Sequence, residues 1–297
     1  MGAERSPRAQ LVLARAGCGS AKPRGATRGV RRTRDVGNET PIDDPILDPF
    51  RDLKASPRTG LGIAEGAIVI RRALALGAEL ERLVCTPCHA AALADVLPPG
   101  LPVRVLPKAS LARLVGYPFH RGCLATVRVP GEDTLPEPVR AQWRRQSELT
   151  LVVGSRLADP VNVGAIVRSA AALGATGCLF DARCANPFER RAVRASMGHV
   201  FAGTTWPVAE LEPVLEMLRH DVGATVYASS PNPGGRSVAR VTWSSKRVLC
   251  FGHEGEGLPS PLLDLADERV FVPMVGGVDS LNVAATAAIV LYAVSTG

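Results

Sequence analysis

The chain has 297 residues, of which 46% are hydrophobic and only 4% aromatic, which predicts two α/β domains with small aliphatic side chains in their interiors. The net charge is +7, but residues 1–40 hold nine Lys/Arg and three Asp/Glu, so the rest of the chain, with 26 basic and 25 acidic residues, is nearly neutral. No apolar run approaches the roughly 18 residues of a membrane-spanning helix, so we expect a cytoplasmic protein with no membrane partner.

Residues 1–45 predict a disordered basic leader, because they are rich in Arg, Gly, Ser and Ala and lack apolar periodicity. A first domain is predicted over residues 46–132, where strand and helix patterns alternate. Its elements in chain order are a short helix at 50–56, a helical stretch entered from 62–66 and closed by Gly77, strands at 83–85, 103–106 and 123–129, and helices at 90–97 and 111–114.

Within this domain, the string from Cys85 to His89 matches a haem-attachment motif. It lies where a buried strand runs into a helix pattern, so we expect a structural role, with a redox or metal role as the alternative. A stretch rich in proline and acidic residues at 130–138 marks a boundary before a second domain, predicted over residues 145–297.

Near-continuous apolar runs in the second domain predict buried strands at 149–153, 178–180, 225–228, 247–251 and 270–272. Such runs are typical of parallel strands that helices cover on both faces, and helical patterns lie between them. We therefore predict a parallel sheet with crossover helices. Sheets of this kind bind ligands at the carboxyl ends of their strands, and three of these strand ends carry polar residues.

The first polar segment follows the strand at 149–153. Apolar residues recur at helical spacing from 163 to 170 and predict a helix that packs on the sheet. Asn162 stands where an N-cap belongs, and Arg168 lies on an otherwise small and apolar helix. A helix cap and a solvated arginine would explain these two residues individually.

The second segment is the glycine-rich loop that follows the strand at 247–251. Its glycines let the backbone approach a ligand closely, and Glu254 places a carboxylate at the same edge of the sheet. The loop lacks the Lys-Ser/Thr of a P-loop and the glycine spacing of a dinucleotide fingerprint. Neither kind of phosphate-binding loop therefore fits this segment. The alternative is a mobile turn without a ligand.

The third segment joins the strand at 270–272 to an Ala-rich helix predicted over 283–294. Ser280 and Asn282 stand just before this helix, where either would serve as an N-cap. Capping would explain Ser280 by itself. It would not explain why three strand ends at the same edge of the sheet each carry polar groups. The set of three segments therefore indicates a functional site.

In chain order, these segments resemble the three signature motifs of SpoU/TrmH-type RNA 2′-O-ribose methyltransferases of the SPOUT superfamily. The resemblance spans about residues 149–295, and segments 64–66 and 120–122 are similar to the L30e-like RNA substrate-binding domain that often precedes the SPOUT domain. It implies an L30e-like α/β fold for residues 46–132 and a SPOUT parallel sheet for 145–297, with residues 251–294 threaded as a deep trefoil knot. Homodimers with RNA sites shared between subunits are also implied.

The resemblance implies the site residues as well. The catalytic residues would be Asn162, Arg168, Glu254, Ser280 and Asn282, and the contacts to the cofactor S-adenosyl-L-methionine would be Gly252, Val272 and Leu281, with no metal. Arg168 would orient the ribose hydroxyl or accept its proton, and Glu254 would orient Arg168 or the hydroxyl. Residues 194–198 resemble a further family segment near the RNA site.

The implied substrate is 23S-type ribosomal RNA rather than transfer RNA, since the L30e-like domain is commoner in ribosomal-RNA enzymes. Three alternatives stay open at this point: a transfer-RNA 2′-O-methyltransferase, a non-catalytic RNA-binding protein of ribosome assembly, and a small-molecule α/β enzyme that uses a nucleotide.

Overall fold

The computed structural model describes residues 44–53, 60–131, 135–230, 234–276 and 280–296. The predicted leader, residues 1–45, lies almost entirely outside these residues. Within the described ranges, two β-sheets organise the fold, and each is built from a separate stretch of the chain.

The first sheet has four strands in the order β1-β4-β2-β3 among the described residues, and only the β2–β3 pair is parallel. Its strands are β1 Leu61–Glu65, β2 Leu80–Cys85, β3 Val103–Val105 and β4 Cys123–Arg128. The accompanying helices are a 3₁₀ helix at Pro45–Phe50 and the α-helices α1 Ala67–Ala75, α2 Pro87–Leu93 and α3 Lys108–Val115.

The three strands and two later helices predicted here are present, and the Cys85–His89 string lies at the predicted junction of a strand and a helix. Two predictions were wrong. Residues 61–65 form a strand rather than the entry to a helix, because Gly66 turns the chain at φ +93° before α1 begins. The short helix predicted at 50–56 is also displaced: the helix here is the 3₁₀ helix that starts at Pro45 and ends at Phe50. Asp44 caps its N-terminus by accepting from Ile46 N at 2.9 Å. Residues 54–56 lie outside the described part of the chain.

A helix that the sequence did not predict, α4 Glu137–Arg145, follows the boundary stretch. Pro136 and Pro138 stand at its N-terminus, where proline is tolerated because the first helical N–H groups have no partner within the helix. Trp143 anchors this helix on the second sheet, with its ring 5.5 Å from the Trp206 ring in an edge-on arrangement.

The second sheet is parallel throughout and has seven strands within the described residues, in the order β7-β6-β5-β10-β8-β11-β9. The strands are β5 Leu149–Gly154, β6 Gly177–Asp181, β7 Thr205–Val208, β8 Thr225–Ser229, β9 Arg236–Ser237, β10 Lys246–Phe251 and β11 Glu268–Phe271. The helices are α5 Pro160–Ala172, α6 Arg190–Ala195, α7 Glu212–His220, α8 Ser260–Asp264 and α9 Val283–Thr296, with 3₁₀ turns at His199–Ala202 and Val238–Arg240.

The predicted α/β class with a parallel sheet is confirmed, and all five predicted strands are present. The strands β7 and β9 were not predicted. Pro207 lies within β7, which is possible because β7 is at the edge of the sheet and its outer side needs no hydrogen-bond donor. The domain limits 46–132 and 145–297 and the threading of residues 251–294 stay predictions.

Helices cover both faces of the second sheet, and alternate residues of β5 show this. Leu151 and Val153 belong to the core formed with α4, α7 and α8, whereas Val152 belongs to the core formed with α5 and α9. The helix α5 packs against both α6 and α9. None of the helices in the described part of the chain combines the length and hydropathy needed to cross a lipid bilayer.

Candidate active site

The three polar segments meet at the carboxyl edge of the second sheet. The strands β5 and β10 are neighbours, with Gly154 paired to Phe251, so the start of α5 and the glycine-rich loop leave the sheet side by side. The segment that follows β11 returns to the same edge and leads into α9. Parallel strands thereby bring together residues that are far apart in the sequence.

Hydrogen bonds join one side chain from each segment. Asn162 Nδ2 donates to Glu254 Oε1. Asn282 Nδ2 donates to Asn162 Oδ1 at 3.0 Å and lies 3.5 Å from Glu254 Oε1. Asn162 is buried, whereas Glu254 and Asn282 reach the surface. We call these three residues the amide–carboxylate cluster.

Asn282 also caps α9, because its Oδ1 accepts from Ala284 N at 2.9 Å and from Ala285 N at 3.3 Å. The capping alternative is therefore correct for Asn282, which is both the N-cap of α9 and a member of the cluster. One amide group fixes the start of the helix with its oxygen and binds the cluster with its nitrogen.

The predicted cap at Asn162 was wrong. Asp159 is the N-cap of α5 and accepts from Val161 N at 3.0 Å, and the helix begins at Pro160. Proline is favoured at the first helical position because its fixed φ suits a helix. Asn162 is consequently the third helical residue, and its side chain is free to bind Glu254 and Asn282.

A cavity of about 270 Å³ opens beside the cluster. It is lined by all three residues predicted to contact a cofactor, Gly252, Val272 and Leu281, and by two predicted catalytic residues, Glu254 and Ser280. Further lining residues that the sequence did not predict are Ser229, Ser230, Phe251, Leu258, Met274 and Thr286. Ser229 ends β8, so the rule that ligands bind at strand ends would have found it.

The residues His253–Gly257, which we call the glycine turn, form one wall of this cavity. His253 N donates to Gly257 O at 3.0 Å and Gly257 N donates back to His253 O at 2.8 Å. Gly252 is packed so closely that an added Cβ would lie 2.3 Å from Gly257 C. A side chain at position 252 would therefore break the turn.

Arg168 is not part of this assembly. Its side chain is exposed on α5, it does not line the cavity, and it makes no hydrogen bond or ion pair with any described residue. The expected contact between Glu254 and Arg168 is absent, since Glu254 binds the two amides instead. Arg168 does lie near His199: burial, followed by the charges of Arg72 and Arg168, lowers the pKa of His199.

The cavity has the chemistry of a site for a cationic ligand with an aromatic part. Phe251 and Leu258 supply apolar surface, Ser229 and Ser230 supply hydroxyl groups, and the Glu254 carboxylate favours a positive charge beside it. The described residues contain no group of three or more side chains suited to hold a metal ion.

Comparison with known proteins gives one consistent match. A model of the SpoU rRNA Methylase family matches residues 149–292. An uncharacterized tRNA/rRNA methyltransferase of Mycobacterium tuberculosis is 36% identical over 271 residues, which cover 87% of this chain and 91% of that protein. A 23S rRNA (uridine(2479)-2′-O)-methyltransferase of Streptomyces viridochromogenes is 31% identical over 144 residues, or 48% of this chain and 50% of that protein.

Solved structures of similar proteins superpose on most of this chain. The SpoU methyltransferase AviRb from Streptomyces viridochromogenes, in complex with AdoMet, superposes with a TM-score of 0.73 at 22% identity and covers 85% of this chain and 97% of its own. An AdoMet-bound rRNA methyltransferase from Sinorhizobium meliloti gives a TM-score of 0.70 at 27% identity, with 84% and 94% covered. The first of these shows the shared fold.

Proposed function

Because this chain belongs to the SpoU rRNA methylase family, we propose that it transfers a methyl group from S-adenosylmethionine to a ribose 2′-hydroxyl of RNA. The observation that carries the proposal is the amide–carboxylate cluster beside a cavity walled by the glycine turn. RNA methylation with S-adenosylmethionine is the activity of the family; the ribose hydroxyl and the class of RNA are the proposed parts.

The cavity fits this cofactor. S-adenosylmethionine combines an adenine ring, two ribose hydroxyls and a sulfonium cation, and when bound it supplies an electrophilic methyl group. Phe251, Leu258 and Val272 offer apolar surface for the ring, and Gly252 and Leu281 belong to the same wall. Glu254 contributes a negative charge that stabilises a nearby cation. The glycine-rich loop lacks the spacing of a dinucleotide fingerprint, which disfavours a dinucleotide as the ligand.

The cluster residues position the other substrate. A ribose hydroxyl is neutral and must lie in line with the methyl group that it receives, so placement supplies most of the rate. We assign Asn162, Asn282 and Ser280 to holding the ribose and its neighbouring backbone. Glu254 is oriented by the two amides and lines the cavity, where it orients the hydroxyl. As the oxygen–carbon bond forms and the sulfur–carbon bond breaks, the cofactor leaves as the neutral thioether and the hydroxyl proton passes to solvent water.

Arg168 orients the ribose hydroxyl and contacts a neighbouring phosphate in this proposal. We prefer this role to proton acceptance, because a guanidinium does not lose its proton in proteins and its planar donors suit phosphate oxygens. Since Arg168 makes no contact with the cluster of its own chain, it must reach a cluster by another route.

We propose that this route is a second copy of the chain. The helix α9 exposes an apolar stripe that includes Ile289 and Tyr292, which are 38% and 62% exposed, and Val161 of α5 is exposed at 41%. Arg168 follows Val161 by seven residues and so lies on the same face of α5. A symmetric dimer through this surface would cover the stripe and direct Arg168 towards the partner.

For the RNA, we propose 23S-type ribosomal RNA in the cytoplasm, with transfer RNA as the alternative. The support is the Streptomyces viridochromogenes relative, whose name specifies 23S rRNA and a 2′-O position, and the rRNA methyltransferase from Sinorhizobium meliloti. Ribosome assembly without catalysis is a second alternative, and the complete set of motif residues disfavours it.

The test is methyl transfer from radiolabelled S-adenosylmethionine to RNA from a strain that lacks this gene. Large-subunit ribosomal RNA and transfer RNA are assayed separately, and the labelled product is digested with alkali. A 2′-O-methyl group blocks cleavage of the next phosphodiester, so we expect label in alkali-resistant dinucleotides from the ribosomal RNA. Label in mononucleotides would contradict ribose methylation, label confined to transfer RNA would contradict the substrate, and RNA binding without label would contradict catalysis.

A further inference from the structure

Arg156, in the loop that follows β5, lies beside the glycine turn and belongs to none of the three polar segments. Ser155 N donates to Phe251 O at 2.9 Å, which extends the β5–β10 pairing by one residue. Arg156 is the next residue, so it leaves the sheet directly beside the turn. It also lines a second cavity, of about 440 Å³, on the other side at the ends of β5, β6 and β7.

Arg156 has a backbone conformation that is costly for its residue type. Its φ is +57°, in the left-handed region that glycine adopts freely and that a side chain makes unfavourable. Asp181, at the end of β6, holds the loop in this shape. Its carboxylate accepts from Ser155 Oγ at 2.7 Å and from Arg156 N at 3.1 Å.

The side chain of Arg156 reaches the tip of the glycine turn. Its Nη1 lies 3.3 Å from Glu256 Oε2, while its Nε is buried and has no hydrogen-bond partner among the described residues. The Glu256 side chain is 71% exposed, and ion pairs as exposed as this contribute little to folding stability. The pair therefore does not offset the backbone cost, and a strained residue beside a ligand cavity points to a role in the site.

The glycine turn is anchored on two sides to the same stretch of chain. Glu254 binds Asn162 of α5, and Glu256 binds Arg156 just before α5. Between them, the amides of Gly255 and Glu256 donate to His253 Nδ1 at 3.0 and 3.2 Å. These internal bonds give the turn its shape, and the two carboxylates fix its position over the cavity.

We infer that Arg156 is a positioning residue for the cofactor: through its ion pair with Glu256 it holds the glycine turn in the conformation that binds S-adenosylmethionine. This inference rests on the proposed function, because it takes the cavity as the cofactor site. It predicts that losing the pair weakens cofactor binding without weakening the fold.

The experiment compares Glu256→Gln, Arg156→Gly and the double variant with the wild type, and uses Arg183→Gln as the control. Arg183 is a neighbouring arginine at the same sheet edge whose backbone N–H, not its side chain, binds Asp181. Calorimetry gives the S-adenosylmethionine dissociation constant, thermal unfolding gives Tm, and hydrogen exchange of the ligand-free protein reports on the turn amides.

We expect each single variant to bind S-adenosylmethionine about two- to fivefold more weakly, the range of an exposed ion pair, and to exchange the amides of the glycine turn faster. The double variant binds no more weakly than either single variant, because both remove one interaction. Arg156→Gly keeps or raises Tm, since glycine relieves the backbone strain. A purely structural role would lower Tm together with affinity. Arg183→Gln behaves as the wild type.

Wild-type affinity in both single variants, or additive losses in the double variant, overturns the inference and leaves the proposed function intact. A parallel fall of Tm and affinity in Arg156→Gly overturns it as well. If the wild type itself does not bind S-adenosylmethionine, the proposed function fails and the inference fails with it.

Discussion

The amide–carboxylate cluster and Arg168 were predicted as one site, yet they differ in their contacts with the rest of the folded chain. Asn162, Glu254 and Asn282 bind one another, and Asn282 also caps α9, so these residues stabilise the fold and form the site at once. Arg168 binds nothing among the described residues. A residue without structural partners can be removed without disturbing the fold, so its variants report on function alone, whereas variants of the cluster report on both.

The largest expected effect sharpens this contrast. Arg168→Ala should reduce methyl transfer to RNA by about 10² to 10³, the cost of losing one preorganised donor. Tm and the S-adenosylmethionine dissociation constant should stay at wild-type values, because no contact of the folded chain is lost. Arg168→Lys should restore little, since lysine keeps the charge but not the planar fork. Near-normal turnover in both variants would leave Arg168 as a solvated surface residue.

The next prediction tests how Arg168 reaches a cluster. Ile289→Asp should raise the dissociation constant of the dimer by about a hundredfold or more, because a buried unpaired carboxylate costs several kcal/mol. Light scattering over a dilution series measures this. Val105→Asp is the control: it makes the same change at an exposed apolar residue, 44% exposed, on a strand of the first sheet. Equal effects of the two variants, or a monomeric wild type, would contradict the proposed dimer.

Asn282 should behave unlike Arg168. Asn282→Ala removes a helix cap and leaves Asn162 Oδ1 without its donor, which should lower the free energy of unfolding by about 1–3 kcal/mol. Asn282→Ser restores a cap oxygen but not the amide donor, so it should recover most of the stability and little of the methyl transfer. Denaturant unfolding and the transfer assay check the two parts. Full activity in Asn282→Ser would reduce Asn282 to a helix cap.

The smallest expected effect is on the pH dependence of stability and concerns His199, whose pKa is lowered by burial and in part by the charge of Arg168. Burial first, then Arg72 and Arg168, hold the pKa of His199 below its ordinary value, near 6.5. Below about pH 6.5 the unfolded chain therefore binds a proton that the folded chain does not. Stability should fall as the pH drops from about 6.5 towards the lower pKa of the folded state, and it should level off below that pKa, where both states bind the proton; the slope stays well under the roughly 1.4 kcal/mol per pH unit of one full proton.

His199→Gln should flatten this part of the pH dependence of unfolding, and Arg168→Ala should flatten it partly. An unchanged slope in His199→Gln would show that other groups cause it.

The sequence predicted the buried strands of the second sheet because each is a continuous apolar run, and it predicted the polar strand ends because parallel sheets bind ligands there. It missed β7, where Pro207 breaks the strand pattern, and it misplaced the start of α5 because Asp159 and Asn162 are both good caps. Pro160 decides between them.

The hydrogen bonds of the cluster could not be predicted. They join residues that are separated by 92 and by 120 positions in the sequence, and they depend on the register of β5 against β10. The conformation of Arg156 runs against the preference of its residue type and follows only from its contact with Asp181. Local sequence patterns carry neither kind of information.

The most direct test of the central claim, that one chain's cluster and another chain's Arg168 form a single methyl-transfer site, is complementation. Arg168→Ala and Glu254→Ala proteins, each inactive alone, are co-expressed and assayed for methyl transfer to RNA. Random pairing makes half of the dimers mixed, and each mixed dimer has one intact site, so we predict about a quarter of the wild-type activity. A mixture as inactive as its components would contradict the account, because it would place Arg168 and Glu254 in the same chain's site.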